Sequence, residues 1–394
     1  MIRGLLNNYK QPISYTFSRS ATKGPELAKQ IKQIIIELQK IGFVVVATIC
    51  DQGGSNRTAI NMLIEESKRN CLRQDHEYRE NNLIIINDQE IVPLFDPPHL
   101  IKCIRNNLIT KNLKYINNNK NQIAKWSHLE ELLKENPGYK GIRLIPKLTE
   151  HHVQINKIKK MKVKYATQIF SQTVGRTMGY LADKGILPIE CKETADLLLF
   201  FDDLFDSMNG SYGKRTRHGK PLLGNVTPNS IHWKFWNDAK NKLKNMAFIN
   251  KKNGNTEYVP TLNNWIWTLD GIQSLLKKIE YKYNVTSVWL RHLNQDPIEN
   301  FFGAIRSHGC RNTNPTPEKF EGAFTTLLVN SMSSVHAPGS NCERDVCNML
   351  HTLIISDDCK ESTSCNISNI PEINLVPLDI KKKNPQIIAP LQYV

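Results

Sequence analysis

The most informative stretch of this sequence is Arg291-His-Leu-Asn-Gln-Asp-Pro-Ile-Glu-Asn-Phe-Phe-Gly-Ala-Ile-Arg306. Asp296 followed by Pro297 predicts a helix start, because an aspartate can accept from free backbone N–H groups and proline suits the first helical position. Large apolar residues then recur at helical spacing, at Ile298, Phe301, Phe302 and Ile305. The stretch therefore predicts a helix with one apolar face and with Glu299 in its first turn.

Glu299 stands three residues after the predicted cap, and two interpretations of it are open. It can complete a capping box by reaching back to the backbone N–H of Asp296, and an acidic side chain in a first turn is also favoured by the helix dipole. It can instead be a metal-binding carboxylate that the helix projects onto a neighbouring sheet. The spacing alone does not decide between the two.

The N-terminal part of the chain has mixed α/β order. Residues 2–6 and 12–17 look like short strands, Gly24 opens an amphipathic helix, and 43–50 is a buried strand that ends at Asp51. Sheets of this kind place ligands beyond the carboxyl ends of their central strands, so Asp51 is a candidate metal ligand. The alternative is an aspartate in a Gly-rich turn that caps the next helix.

A second acidic strand end follows. The predicted strands 83–86 and 91–95 lead to Asp96-Pro-Pro-His-Leu-Ile-Lys102, and Arg105 stands one turn further. A carboxylate at a strand end, followed by a helix that displays His99, Lys102 and Arg105, suits a phosphate backbone that passes a metal centre. Asp96 as a simple cap ahead of a helix that starts with proline remains open.

The composition of the chain favours a polyanionic partner. A formal net charge of +15 over 394 residues suits nucleic acid or an acidic surface, although a merely soluble basic protein would show it too. Nine cysteines without a C-x-x-C spacing argue against a secreted disulfide framework. Since the longest apolar runs are only strand-length, we expect an intracellular protein that does not enter membranes.

Strand-like runs nearly vanish in the middle of the chain. From about residue 111 to residue 283, amphipathic helices are predicted at 126–134, 152–171, 192–207, 231–246 and 269–281. We expect this part to be a separate helical domain.

The motifs resemble those of a known family. Leu293-Asn-Gln-Asp296, Glu299-Asn-Phe-Phe-Gly303 and Arg306 resemble the signature at the final acidic residue of P-element-type (THAP-domain) transposases, and the stretch from Asp96 to Lys102 fits the same family. The resemblance implies a ribonuclease-H-like nuclease fold in which three carboxylates hold two Mg²⁺ (or Mn²⁺) ions. It implies a catalytic, metal-binding role for Glu299 and Asp51, with Asp96 as an alternative third ligand.

The resemblance also implies that an all-helical GTP-binding domain interrupts the nuclease fold. Phe205 would stack on guanine, and Asp206 would accept from its N1–H and amino groups. The implied nucleotide contacts are Lys147, Lys162, Val163, Ser171, Asp202, Phe205, Asp206 and Asp296, of which Asp202 stands where insect relatives carry asparagine. Without the resemblance, a Lys-rich helix face is more typical of a solvated or DNA-facing surface. Phe205, on an apolar stripe, is more typical of a core residue.

Four regions follow from these patterns. We expect the N-terminal part of the ribonuclease-H-like domain at 1–110, the insertion at 111–285, the helices that carry the last acid at 286–330, and a largely disordered tail at 331–394. In the family the first catalytic acid lies on a strand before residues 2–6, and no acidic residue precedes Glu26. The sequence therefore predicts a chain truncated at its N-terminus, whose sheet lacks its first strand.

The predicted function is that of a fragment or derivative of such a transposase. Its chemistry would be two-metal cleavage and transfer of DNA strands, with GTP as a cofactor, and catalysis would be impaired by the missing acid. Transposon ends or target DNA would be the partners, homo-oligomerisation is open, and the location would be nuclear. The alternative is a non-catalytic, domesticated protein that binds nucleotide or nucleic acid.

Overall fold

The computed structural model describes residues 1–7, 9–75, 78, 82–136, 143–210, 220–309, 312, 314–329, 348–349, 387–389 and 391–392. Within these ranges every helix is too short or too polar to cross a bilayer.

Two short antiparallel strands open the chain, β1 (Ile2–Gly4) and β2 (Tyr9–Gln11). The second strand lies earlier than the predicted 12–17, which is not a strand. The turn between them is tight, because a side chain at Gly4 would come within 2.0 Å of the Asn7 carbonyl oxygen. The chain therefore turns back onto β1 and pairs with it at Tyr9–Gln11. The alternating apolar residues on which the prediction rests begin only at residue 12.

The amphipathic helix and the buried strand that follows it are confirmed. Helix α1 (Gly24–Lys40) buries one face and is followed by Gly42 at φ 90°, a conformation that glycine adopts without steric cost. The strand is interrupted once, which divides it into β3 (Val44–Val45) and β4 (Ala47–Cys50).

The sheet continues through a parallel crossover. Its next elements are α2 (Gly54–Arg73), β5 (Ile84–Ile86), β6 (Gln89–Phe95) and α3 (Pro97–Thr110). β4 and β6 are parallel with Cys50 opposite Phe95, and β5 pairs antiparallel with β6. The residues that follow β4 and β6 therefore emerge side by side at one edge of the sheet.

The central part of the chain is mostly helical. Its elements are β7 (Lys111–Asn117), β8 (Lys120–Ala124), α4 (Trp126–Glu135), α5 (Glu150–Val153), α6 (Val163–Ile169), α7 (Gln172–Asp183), α8 (Cys191–Met208), α9 (His232–Lys244), β9 (Ala247–Asn250), β10 (Thr256–Glu257) and α10 (Pro260–Tyr283). The helices predicted at 126–134, 192–207 and 231–246 are confirmed, and α10 extends well beyond the predicted 269–281.

Two expectations for this part need correction. The insertion is not all-helical, because β7, β8, β9 and β10 form an antiparallel sheet in the order β10-β9-β7-β8. β7 does alternate, with Leu113 and Tyr115 buried, but its many Lys and Asn residues hide the pattern.

The single helix predicted at 152–171 is also wrong, since α5 and α6 replace it. Between them the Lys160 carbonyl accepts from the Arg105 guanidinium at 2.7 Å instead of from a helical N–H. This contact is made by a residue distant in sequence, so the local pattern of 152–171 does not reveal it.

The last helices return to the first sheet. α10 packs across β6, where its Trp267 indole N–H donates to the Pro93 carbonyl at 2.9 Å. A 3₁₀ segment at Leu290–Leu293 then leads into α11 (Asp296–Ser307), and α12 (Pro317–Val329) packs against α11 through Phe301 and Phe324.

The described part of the tail differs from the expected disorder. β11 (Asn348–Met349), β12 (Ile387–Ala389) and β13 (Leu391–Gln392) are strands. β11 and β12 belong to a five-stranded sheet of order β11-β2-β1-β12-β3, and β13 belongs to a four-stranded sheet of order β13-β4-β6-β5. The edge of β1 that we expected to be open is therefore paired with β12. The rest of 331–394 lies outside the described residues.

Candidate functional site

Two candidate acids stand at neighbouring strand ends. Asp51 follows β4 and Asp96 follows β6, and the Asp96 N–H donates to the Cys50 carbonyl at 2.9 Å. Each acid stands at a strand end, as predicted, and the parallel pairing of the two strands brings both carboxylates to the same edge of the sheet.

Asp96 acts as a helix cap and as a joint between distant segments. Its side chain is 1% exposed and caps α3 by accepting from the His99 backbone N–H at 3.0 Å. The same oxygen is 2.7 Å from His99 Nδ1, and the other oxygen accepts from the Gln295 N–H at 2.7 Å. These contacts favour the capping interpretation, because both oxygens already have partners.

Glu299 lies opposite Asp96 on the other side of His99. His99 Nε2 is 3.2 Å from Glu299 Oε1, so one imidazole contacts a carboxylate through each ring nitrogen. Burial raises the pKa of Glu299 above its usual value, although the neighbouring His99 acts in the opposite direction. Burial by itself would lower the pKa of His99. The hydrogen bond to Asp96 and the negative charge of Asp96 outweigh it, so the pKa of His99 lies above its usual value.

The capping-box interpretation of Glu299 is wrong. Helix α11 begins at Asp296 with Gln295 as its cap residue, one position earlier than predicted. The Glu299 carboxylate contacts His99 on α3 rather than a backbone N–H of its own helix. The sequence could not reveal this, because His99 is distant in the chain.

Asp51 is partly exposed at the start of α2. Its Oδ1 accepts from the Gly53 N–H at 2.6 Å and from the Asn56 amide at 2.7 Å. Asp51 also lines a cavity of about 560 Å³, whose far wall includes Ile298 and Phe302 of α11. Asp51 and the helix that carries Glu299 therefore border the same space.

These carboxylates fit a divalent cation in type but fall short in number. Carboxylate oxygens are the ligands that Mg²⁺ prefers, which suits Asp51 and Glu299, whereas Asp96 is committed to Gln295 and His99. Among the residues that the structure describes, no group of three or more His, Cys, Asp or Glu is arranged to hold a metal ion.

The basic residues of α3 do not all face a ligand. Arg105 is fully buried and donates to Asn106 and to the Lys160 carbonyl, so it is a structural residue and not a phosphate contact. Lys102 is 8% exposed and acts electrostatically on both His99 and Glu299. Its ammonium therefore remains a candidate for contact with a phosphate.

The two carboxylates implied in guanine recognition lie together on α8. Asp202 and Asp206 are one turn apart, and Lys220 binds both, with its Nζ 2.9 Å from Asp202 Oδ2 and 2.6 Å from Asp206 Oδ2. Burial and the charge of Asp206 raise the pKa of Asp202 to about 6. Sequence reasoning missed Lys220, because nothing local links it to α8.

The other implied nucleotide contacts are spread over helix starts. Lys162 is the cap residue of α6, which begins at Val163, and Ser171 caps α7 by accepting from the Val174 N–H at 3.3 Å. Lys147 is exposed. Helix starts are suited to phosphate groups, because their first N–H groups have no helical acceptor.

Phe205 and Asp296, the remaining implied nucleotide contacts, are partly or fully buried. Phe205 is partly buried against the core, as the alternative interpretation has it. The Asp296 carboxylate accepts from Arg291 and Asn294, each at 3.0 Å, and the Arg291 N–H donates to the Gly210 carbonyl just after α8. The segment before α11 thus reaches both the sheet and α8.

We expect His99 to position Glu299 for cation binding. His99→Ala should weaken Mn²⁺ affinity about 10- to 100-fold. The reason is that a residue which contacts a metal-binding side chain, without contacting the metal itself, fixes the orientation of that side chain. Calorimetric titration with Mn²⁺ measures the change, and His308→Ala, at an exposed position after α11, is the control. Equal affinity in the His99 variant and in the unchanged chain would contradict the role.

Asp202→Asn should stabilise the protein at neutral pH. The folded pKa of about 6 lies above the ordinary 3.8, so the folded state binds more protons in that window and stability falls as the pH rises through it. We expect a gain of about 1–2 kcal/mol at pH 7.5 that disappears below about pH 4.

Urea unfolding at both pH values measures this difference. Asp238→Asn, at an exposed position on α9, is the matched control and should change little. A loss of stability at pH 7.5 in the Asp202 variant would show that the bond to Lys220 outweighs the burial of the charge.

Comparison with known proteins gives three matches along the chain. Residues 1–64 match the TNP-like RNase H N-terminal domain, residues 98–221 match the TNP-like GTP-binding insertion domain, and residues 292–325 match the TNP-like RNase H C-terminal domain. The order of these matches confirms a ribonuclease-H-like fold interrupted by a GTP-binding-type insertion. Together they cover more than half of the chain.

Two curated relatives support the same relationship. The chain is 27% identical over 335 residues to the Transposable element P transposase of Drosophila melanogaster, covering 84% of this chain and 40% of that protein. It is 28% identical over 237 residues to the human (Homo sapiens) DNA transposase THAP9, covering 58% of this chain and 24% of that one. The chain thus spans less than half the length of either relative.

A solved structure has the same fold. The Drosophila P element transposase strand transfer complex matches with a TM-score of 0.68 at 23% identity, over 83% of this chain and 68% of that chain. The three domain matches follow one another in the expected order, and the two relatives and the solved structure indicate the same family. The motifs around Asp51 and Glu299 resemble that family too. The chain therefore belongs to the P-element transposase-like family.

Proposed function

We propose that this chain carries the nuclease-like and GTP-binding parts of a P-element-type DNA transposase. The carrying observation is the set of contacts through Asp96 and His99, which brings α11 with Glu299 to the sheet edge where Asp51 lies. Its substrates would be transposon ends and target DNA, and the net charge of +15 suits such a polyanion. A nuclear location and homo-oligomerisation belong to the proposal.

Asp51 and Glu299 are the residues that would hold Mg²⁺ or Mn²⁺. Bound divalent cations would supply activation of water or of a DNA 3′-hydroxyl and stabilisation of the leaving oxygen. His99 orients Glu299, and the Lys102 ammonium lies close enough to act on a phosphate group next to them. Asp96 holds this arrangement together and is not proposed as a ligand.

We propose that cleavage is slow. The family's chemistry uses three carboxylates, and among the described residues no group of three or more His, Cys, Asp or Glu is arranged to hold a metal ion. Cations held by fewer charged ligands are bound more weakly and are positioned less rigidly.

GTP is proposed as the cofactor of the insertion. Asp206 accepts from the guanine N1–H and amino groups, and Phe205 provides the stacking face. Lys162 and Ser171, at the starts of α6 and α7, take phosphate oxygens. The bond from the Arg291 N–H to the Gly210 carbonyl ties this pocket to the segment that carries Asp296.

Strand cleavage tests the nuclease part. We expect weak, Mg²⁺- or Mn²⁺-dependent nicking of DNA that carries the transposon ends, lost in Asp51→Asn and in Glu299→Gln. Glu318→Gln, exposed on α12, is the control and should keep it. Nicking that survives both changes would exclude this site, and robust nicking lost in both would contradict the proposed impairment.

Titration with a fluorescent GTP analogue tests the nucleotide part. Asp206→Ala should weaken binding more than about tenfold, because a hydrogen bond to a charged group contributes about 1.5–3 kcal/mol. Phe205→Ala should weaken it by a similar factor, because stacking of a base on an aromatic ring contributes about 1–3 kcal/mol. Asp202→Asn should keep binding, and Tyr180→Ala on the exposed face of α7 is the control. If folded protein binds ATP as well as GTP, or neither, the guanine pocket is wrong. GTP binding without DNA cleavage favours the non-catalytic alternative.

A further inference from the structure

The tail supplies a strand to the interior of the first sheet. β12 pairs antiparallel with β1, with Ala389 opposite Arg3, and parallel with β3, with Ile388 opposite Val45. A strand with a neighbour on each side has no free edge, so its successive N–H groups serve the two neighbours in turn.

β13 continues the same pairing. Leu391 lies opposite Thr48 and Gln392 opposite Ile49 on β4. The offset between paired residue numbers is the same for β12 on β3 and for β13 on β4. The two short pairings therefore belong to one strand register and are not separate accidental contacts.

The tail pairs with two sheets, through β12 in the five-stranded sheet and through β13 in the four-stranded one. β1 has β2 and β12 as its neighbours, and β4 has β13 and β6, so β1 and β4 do not pair with each other. Arg3 on β1 donates to the Arg291 carbonyl in the segment that leads to Glu299, whereas Asp51 follows β4. Residues 387–389 and 391–392 thus pair with β1 and with β3–β4, the strands that support the candidate acids.

We propose that the gap between β1 and β3–β4 is a strand-acceptor site whose occupant is formed by the chain's own strands β12 and β13. The site takes an extended polypeptide parallel to β4, and main-chain hydrogen bonds to both neighbours supply the affinity. Since the site depends on backbone pairing alone, it is independent of the proposed nuclease and GTP functions.

Hydrogen exchange of the unmodified full chain is the first test. Amides of 387–389 and 391–392 should exchange about as slowly as those of β4, and roughly tenfold or more slower than those of an unstructured peptide. A tail that exchanges at the rate of an unstructured peptide would overturn the proposal.

Proline variants then test the pairing itself. Ile388→Pro and Ala389→Pro each remove an N–H from a strand that is paired on both sides, so either should speed exchange in β1 and β3–β4 while α8 stays protected. Lys382→Pro, before the strand, is the control and should change nothing. Protection of β1 and β4 equal to that of the unmodified chain in both variants contradicts the proposal. If both variants unfold throughout, including α8, the exchange rates of the tail amides in the unmodified chain decide: slow exchange supports the proposal and fast exchange overturns it.

A labelled synthetic peptide of residues 385–394 tests the acceptor site. It should bind saturably to the Ile388→Pro chain and restore slow exchange in β1 and β4, while the unmodified chain, whose site is filled, binds it at least about tenfold more weakly. Equal binding to both chains, or binding without restored protection, would show that the peptide does not enter the gap.

Discussion

The structure of the candidate site depends on one buried carboxylate. Asp96 is removed from water, and a buried charge is tolerated only where hydrogen-bond donors surround it. Its donors come from the first turn of α3 and from the Gln295 N–H, which is distant in sequence and immediately precedes α11. The desolvation of Asp96 therefore enforces the position of α11, and through His99 it fixes where Glu299 stands. Asp96 thus holds the proposed ligand Glu299 in place through His99, while both of its own oxygens are already bonded.

The short segment before α11 is the point at which the two candidate sites meet. Arg3 donates to the Arg291 carbonyl, and His292 Nδ1 lies 2.8 Å from the Leu5 carbonyl, which ties the segment to β1. The Arg291 N–H donates to the Gly210 carbonyl, which ties it to the end of α8. Such dense polar contacts leave the segment few alternative positions. A nucleotide that moved the end of α8 would therefore act directly on the chain that positions Glu299.

The periodicity of apolar residues predicts the helices and strands that bury one side in the hydrophobic core. α1, β4, β6, α8 and α11 were all found from periodicity, and Asp51 and Asp96 from their places at strand ends. The failures share a different cause, since each depends on a partner distant in sequence. β7 is a strand because β9 pairs with it, residues 154–162 leave the helix where Arg105 takes the Lys160 carbonyl, and β12 is ordered by β1 and β3. Lys220 likewise carries no local signal.

The cluster on α8 is costly to the fold, and this cost supports a functional interpretation. Two buried carboxylates one turn apart repel each other, and Lys220 compensates this only in part, because the pKa of Asp202 stays near 6. Stability alone would favour an amide at Asp202, which keeps the hydrogen-bonding capacity without the charge. Unfavourably placed charges of this kind are concentrated at sites of binding and catalysis. A carboxylate at Asp206 differs from an amide in offering two acceptor oxygens and no donor, which suits the pair of adjacent N–H donors in the proposed guanine contact.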